Sequence, residues 1–192
     1  MRMKKIILVF LITCVCHTSG AQKNYALLVI DIQDFYFPGG RSELVDPIAA
    51  AEKAAVAIAH ARSQKQLVIY VQHRSSAGME INDIVKPLPG DEVFVKEDVN
   101  SFLNTGLNDH LKRLGIDTLV ICGMQTQMCV EAAVRAAHDL GYIVILLHDA
   151  CATRNLKFGN REVSADDVHT STLATLESYG SVTGVTDWTG SR

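Results

Sequence analysis

The 192-residue chain is poor in positive charge and in proline, with 18 Lys+Arg against 21 Asp+Glu and only four prolines. Lacking a basic block, it offers no clustered positive surface for phosphates, which excludes nucleic acid as the expected partner. Repeats, low-complexity tracts and Pro/Ser-rich linkers are missing as well, so nothing in the sequence divides the folded part into modules. There is no long apolar run either: the stretch from Ile6 to at most Cys16 is too short to cross a bilayer. What is present is 48% hydrophobic residues, which argues for one full-sized core and against disorder.

Arg2, Lys4 and Lys5 precede the apolar run Ile6 to Ile12, and the small residues Ser19, Gly20 and Ala21 follow. This is the layout of a secretory signal peptide, so residues 1–21 are expected to be removed and residues 22–192 to form the domain. The expected location is periplasmic or secreted, with no stable membrane anchor. A lipid on Cys14 is the alternative, against which stands Thr13 just before it. Loss of the three N-terminal basic residues from the 18 leaves 15 against 21 acidic ones, a formal −6. Cys14 and Cys16 leave too, so Cys122, Cys129 and Cys151 remain. An odd number of thiols in an oxidising compartment means that at least one stays unpaired or pairs with another molecule.

From Tyr25 onward, short apolar runs alternate with helical patterns, as in repeated βα units around a buried parallel sheet. The predicted strands are Ala26–Ile30, Leu67–Val71, Val93–Val95, Thr118–Ile121, Ile143–Leu147 and Val182–Val185. The predicted helices are Pro47–Ser63, Leu103–Leu114, Val130–Leu140 and Ala165–Tyr179, the last with Ser164 and Asp167 spaced as a capping box. Arg74–Asp91 and Cys151–Val163 break the alternation. Both follow strands, and an open α/β sheet keeps its ligands at that end.

Three residues stand where strands end. Asp31 follows the first strand, where a partly buried carboxylate can act as proton acceptor or can simply cap the next turn. Lys96 ends the third, as a charge partner or a solvated lysine. Cys129 falls at the first turn of a helix, where the helix end and free N–H groups favour a thiolate and can receive an oxyanion; its other reading is a small buried hydrophobe. Cys122 reads as core and Cys151 stays open. Gln33, Phe35, Phe37 and Phe102 are candidates for the wall of a substrate pocket, with core packing the competing reading for the aromatics.

Asp31 with Gln33, Lys96, and the run Gly123-Met124-Gln125-Thr126-Gln127-Met128-Cys129-Val130 together resemble the isochorismatase-like cysteine hydrolases, the superfamily of nicotinamidases, N-carbamoylsarcosine amidases and ureidoacrylate amidases. Asn100-Ser101-Phe102, Thr105, Leu107 and His148-Asp149-Ala150 support the likeness, which runs from about Tyr25 to Trp188. It implies a three-layer α/β/α sandwich with a six-stranded parallel sheet ordered 3-2-1-4-5-6, so that Asp31 and Cys129 face each other across the switch point. It further implies Asp31 as proton acceptor and donor, Lys96 as charge partner and Cys129 as nucleophile, with the N–H groups of Gln125 and Cys129 as oxyanion donors and a cis peptide between Met124 and Gln125. The activity implied is hydrolysis of a C–N bond in a small molecule through a thioester, by a homo-oligomer. The alternatives are hydrolysis of a vinyl ether, as in the isochorismatase branch that uses no cysteine nucleophile, and a non-catalytic binder on the same fold.

Nicotinamidases add a metal on an Asp-x-His pair after the second strand; here that stretch reads Gln72-His73-Arg74, so neither a metal nor another cofactor is expected. A dinucleotide is not expected either, since Gly39-Gly40 comes too late in the first βα turn for a Gly-x-Gly-x-x-Gly fingerprint. His148 and His169 are placed at a pocket rim or in the packing of the last helix, with no role assigned.

Overall fold

A computed structural model describes residues 24–190. The expected signal peptide, residues 1–21, lies outside the described residues. Six strands, β1 (Tyr25–Ile30), β2 (Leu67–His73), β3 (Glu92–Lys96), β4 (Thr118–Met124), β5 (Ile143–Ala152) and β8 (Ser181–Thr183), form one parallel sheet in the order β3-β2-β1-β4-β5-β8. Counted within this sheet, that is the expected 3-2-1-4-5-6 order. The intervening β6 (Leu156–Phe158) and β7 (Arg161–Val163) make a separate antiparallel hairpin.

The central strands β1 and β4 are continuous buried runs because both faces of the sheet are covered there. Alternate residues of β1 point to opposite layers. Leu27 and Val29 pack with Ala50, Ala51, Ala54, Ala57 and Ala61 of α1 (Pro47–Ser63) and with Val185 of α5 (Val185–Thr189). Ala26, Leu28 and Ile30 pack with α2 (Leu107–Arg113), α3 (Glu131–Asp139) and α4 (Ala165–Leu176). The small side chains of α1 let that helix lie close on the sheet. The result is the expected α/β/α sandwich.

Several boundaries differ from the sequence reading. The second helix starts at Leu107, not Leu103, because Gly106 adopts φ +75 and breaks helical continuity ahead of it. Ser164 Oγ does accept the N–H of Asp167 at 3.1 Å, as the capping box predicts, but α4 stops at Leu176. The expected loop Cys151–Val163 begins inside β5 and contains the hairpin, and Val182–Val185 divides into β8 and the start of α5.

The chain reverses direction of travel through the sheet between β1 and β4, and the C-terminal ends of these strands meet with Ile30 opposite Gly123. A side chain at Gly123 would place Cβ 2.0 Å from the Ile30 carbonyl oxygen, and its φ of +139 is a glycine conformation. This close approach opens the crevice expected of a switch point.

Candidate active site

Asp31 leaves β1 with φ 50, a left-handed conformation for a non-glycine residue, fixed by its N–H donating to the Val71 carbonyl at 2.9 Å. Such strain persists only where the surroundings determine it, and it is common at functional sites. Lys96 is the last residue of β3, paired in register with His73 at the end of β2. Cys129 belongs to a wide π-type turn, Thr126–Val130, wedged between β4 and α3. The Gln125 carbonyl closes that turn by accepting the N–H groups of Met128 at 3.1 Å and Val130 at 3.2 Å. The Met124–Gln125 peptide is cis.

These three elements bring the three residues together. Lys96 Nζ lies 2.8 Å from Asp31 Oδ2 and 3.2 Å from Cys129 Sγ. Asp31 is 0%, Lys96 1% and Cys129 4% exposed, so the cluster is almost sealed from water. The Asp31–Lys96 contact is an ion pair. Two further groups complete the surroundings of Nζ: the Asp98 carbonyl and His73 Nδ1, each at 3.1 Å.

Burial raises the Asp31 carboxyl above the usual carboxylate value, against the opposing pull of Lys96. The group is therefore a stronger base than a solvated aspartate. Burial first, and then the Asp31 charge, push the Cys129 thiol up to about 12 despite Lys96 beside it. This corrects the expectation that the helix end and free N–H groups favour a thiolate: Cys129 is 4% exposed and precedes α3 in a separate turn. At rest the site is an ion pair beside a neutral thiol.

Of the pocket-wall candidates, Phe35 and Phe102 each border a cavity at the surface. Gln33 is fully buried and spends its side chain on His73 and Met79, so it holds the backbone. Phe35 and Phe37 are buried in the α1 layer, Phe35 tilted against Tyr36 at 4.2 Å between rings; its rim also borders a cavity of about 330 Å³ with Arg41 and Gly78. Phe102 stacks on Tyr142 at 6.2 Å and packs against the α3 layer. His169 Nδ1 lies 2.9 Å from Thr126 Oγ1, buttressing the cysteine turn from α4. Cys122, Cys129 and Cys151 are all free and buried, and Cys122 packs in the α1 layer whereas Cys151 packs in the other.

Sequence reasoning missed His73 and Tyr36. Tyr36 is buried, and its hydroxyl is pushed upward by burial while it senses the side chain of Gln125 and the charges of Cys129, Asp31 and Arg154. His73 was there to be found by the same rule as Asp31 and Lys96, a polar residue ending a strand, had the second strand been carried past Val71.

The family model for the Isochorismatase domain matches residues 25–185. The chain is 41% identical over 162 residues to the isochorismatase family protein YddQ of Bacillus subtilis, covering 79% of this chain and 90% of that one. It is 30% identical over 176 residues to the ureidoacrylate amidohydrolase RutB of Azorhizobium caulinodans, covering 69% and 78%. A solved structure from Oleispira antarctica that bears the name isochorismatase hydrolase superposes with a TM-score of 0.84 at 36% identity, covering 88% of this chain and 97% of its own.

Proposed function

The chain belongs to the isochorismatase family and is a hydrolase, and on that premise we propose that it cleaves a C–N bond of a small amide, ureide or cyclic amide with Cys129 as nucleophile. One observation carries this reading: a single buried ammonium, Lys96, lies within 3.2 Å of a thiol and 2.8 Å of a carboxylate that is itself a strengthened base. The amidohydrolase relative supports a C–N bond over a vinyl ether.

The chemistry follows from the ionisation of the three groups. With the thiol held up to about 12, Cys129 does not ionise ahead of the reaction. Asp31 takes the thiol proton as the sulfur attacks the carbonyl carbon, and Lys96 compensates the negative charge that develops on sulfur. The carbonyl oxygen becomes an oxyanion facing the N–H groups of Gln125 and Cys129. Asp31 then returns its proton to the departing nitrogen as the C–N bond breaks, leaving a thioester on Cys129. Water adds to the thioester with Asp31 again accepting a proton; the C–S bond breaks, the proton returns to sulfur and the carboxylic or carbamic acid leaves.

The test is a screen of amides, ureides, cyclic amides and isochorismate against wild type and Cys129→Ala, with ammonia or amine release as readout. Release by wild type and its loss in Cys129→Ala is the expected result. Full turnover by Cys129→Ala, or pyruvate release from isochorismate in place of amine, overturns the reading.

A further inference from the structure

His73 is held more firmly than a histidine at a strand end needs to be. Its N–H donates to Gln33 Oε1 at 2.8 Å and its carbonyl accepts Gln33 Nε2 at 3.0 Å, while the same Nε2 donates to the Met79 carbonyl at 2.6 Å. The fully buried Gln33 side chain thus acts as one more rung of the sheet, two residues beyond Asp31. On the other side, the N–H of Arg74 donates to the Lys96 carbonyl at 2.8 Å. Both peptides of His73 are tied down, and the ring is aimed at the Lys96 ammonium, with Nδ1 3.1 Å from Nζ.

An ammonium carries three N–H donors and no acceptor. Its four neighbours here are Asp31 Oδ2, Asp98 O, His73 Nδ1 and Cys129 Sγ. Nδ1 can be a partner only through its lone pair, which requires the neutral ring with its hydrogen on Nε2. An imidazolium would turn a second N–H and a positive charge toward the ammonium.

We propose that His73 is a positioning residue of this site: its neutral Nδ1 holds the Lys96 ammonium between Asp31 and Cys129, and protonation of the ring in mild acid drives the ammonium away from the thiol. The proposal rests on the reading of Lys96 as counter-charge to Cys129. The groups facing the ring are Lys96 from β3, Arg41 from the segment after β1, Asp31, and the Asp98 carbonyl. Burial is the largest influence and, with Lys96 and Arg41, favours the neutral ring; Asp31 and the Asp98 carbonyl pull the other way, and the balance lies below the ordinary histidine value. The ring is accordingly neutral at pH 7, and the switch lies on its acid side.

The test compares His73→Asn, whose Oδ1 stands where Nδ1 was and does not titrate, with His73→Leu, which has no acceptor. The probe is iodoacetamide at pH 9, with alkylation of the Cys129 peptide followed by mass spectrometry and thermal melts recorded beside it. Without the acceptor the ammonium loses one of the four neighbours that fix its place, and it can settle on Asp31 and the Asp98 carbonyl, away from the sulfur. Alkylation of His73→Leu should then be about tenfold slower than wild type, the effect of a one-unit rise in the thiol, while His73→Asn stays within about twofold. On the substrate found by the screen, the acid limb of kcat should move to lower pH in His73→Asn with KM unchanged. Leu alkylation as fast as wild type, an Asn variant as slow as Leu, or an unmoved acid limb overturns the proposal. If His73→Leu fails to melt cooperatively, the Asn acid limb decides alone. Alkylation needs no substrate, so it reports on His73 even where turnover survives in Cys129→Ala and the functional reading falls.

Discussion

Lys96 Nζ reaches to 3.2 Å from Cys129 Sγ although their strands, β3 and β4, are separated in the sheet by β2 and β1. The contact is possible because Lys96 has a long side chain and because the turn carrying Cys129 follows β4 at the same end of the sheet. On its way the ammonium passes Asp31 at 2.8 Å, at the end of the strand between. One cation therefore serves a carboxylate and a thiol brought in by different strands.

The ion pair should be dispensable for stability and indispensable for activity. Burial keeps the Asp31 carboxyl above its usual value even with Lys96 alongside, so desolvation outweighs the attraction. A raised carboxyl adds stability below its unfolded-state value, and that contribution is lost as pH rises through the folded-state value; at neutral pH the buried charge is a net cost. Lys96→Met and Asp31→Leu each leave an unpaired buried charge and should lose about 3 kcal/mol. The double variant should return to within about 1 kcal/mol of wild type, as replaced buried pairs commonly do. All three should lose at least about 10³-fold in kcat. Denaturant melts of the four proteins check this, and additive losses in the double variant would contradict it.

Cys129 should be a slow nucleophile toward reagents in the free protein. With the thiol up to about 12, the thiolate fraction, and with it the iodoacetamide rate, should rise about tenfold per pH unit from pH 7 to 10. A plateau below pH 8 would show a preformed thiolate and remove the need for Asp31 as proton acceptor. Mass spectrometry of the Cys129 peptide separates its rate from those of Cys122 and Cys151, which burial also holds high.

The sheet was legible in the sequence because β1 and β4 are buried on both faces and read as unbroken apolar runs. Asp31, Lys96 and Cys129 were legible because each ends or follows such a run. The ionisation of Cys129 was not legible, since it depends on burial and on Asp31 arriving from a different strand. Gln33 was misplaced for a similar reason: a polar residue after Asp31 suggests a ligand contact, and only the path of the segment around Met79 shows that its amide completes the backbone. The β6–β7 hairpin has three-residue, largely exposed strands with no core face, so no periodicity announces it.

Gly123 sets the position of the cysteine turn against β1. A Cβ there would sit 2.0 Å from the Ile30 carbonyl oxygen and 2.8 Å from its nitrogen, both backbone atoms that cannot rotate away, and φ is +139. Ile30 immediately precedes Asp31, and Gly123 immediately precedes the Met124–Gln125 cis peptide, so any relief of the clash moves the two halves of the site apart. Gly123→Ala should therefore lose at least about 3 kcal/mol, a fall in Tm of about 10 °C, placing it among the most damaging single substitutions in a core. Because the strain is relieved across the site, the fraction that still folds should also be inactive. Thermal melts beside turnover check both, and a folded Gly123→Ala protein with wild-type kcat would show that β1 and β4 can separate without parting Asp31 from Cys129.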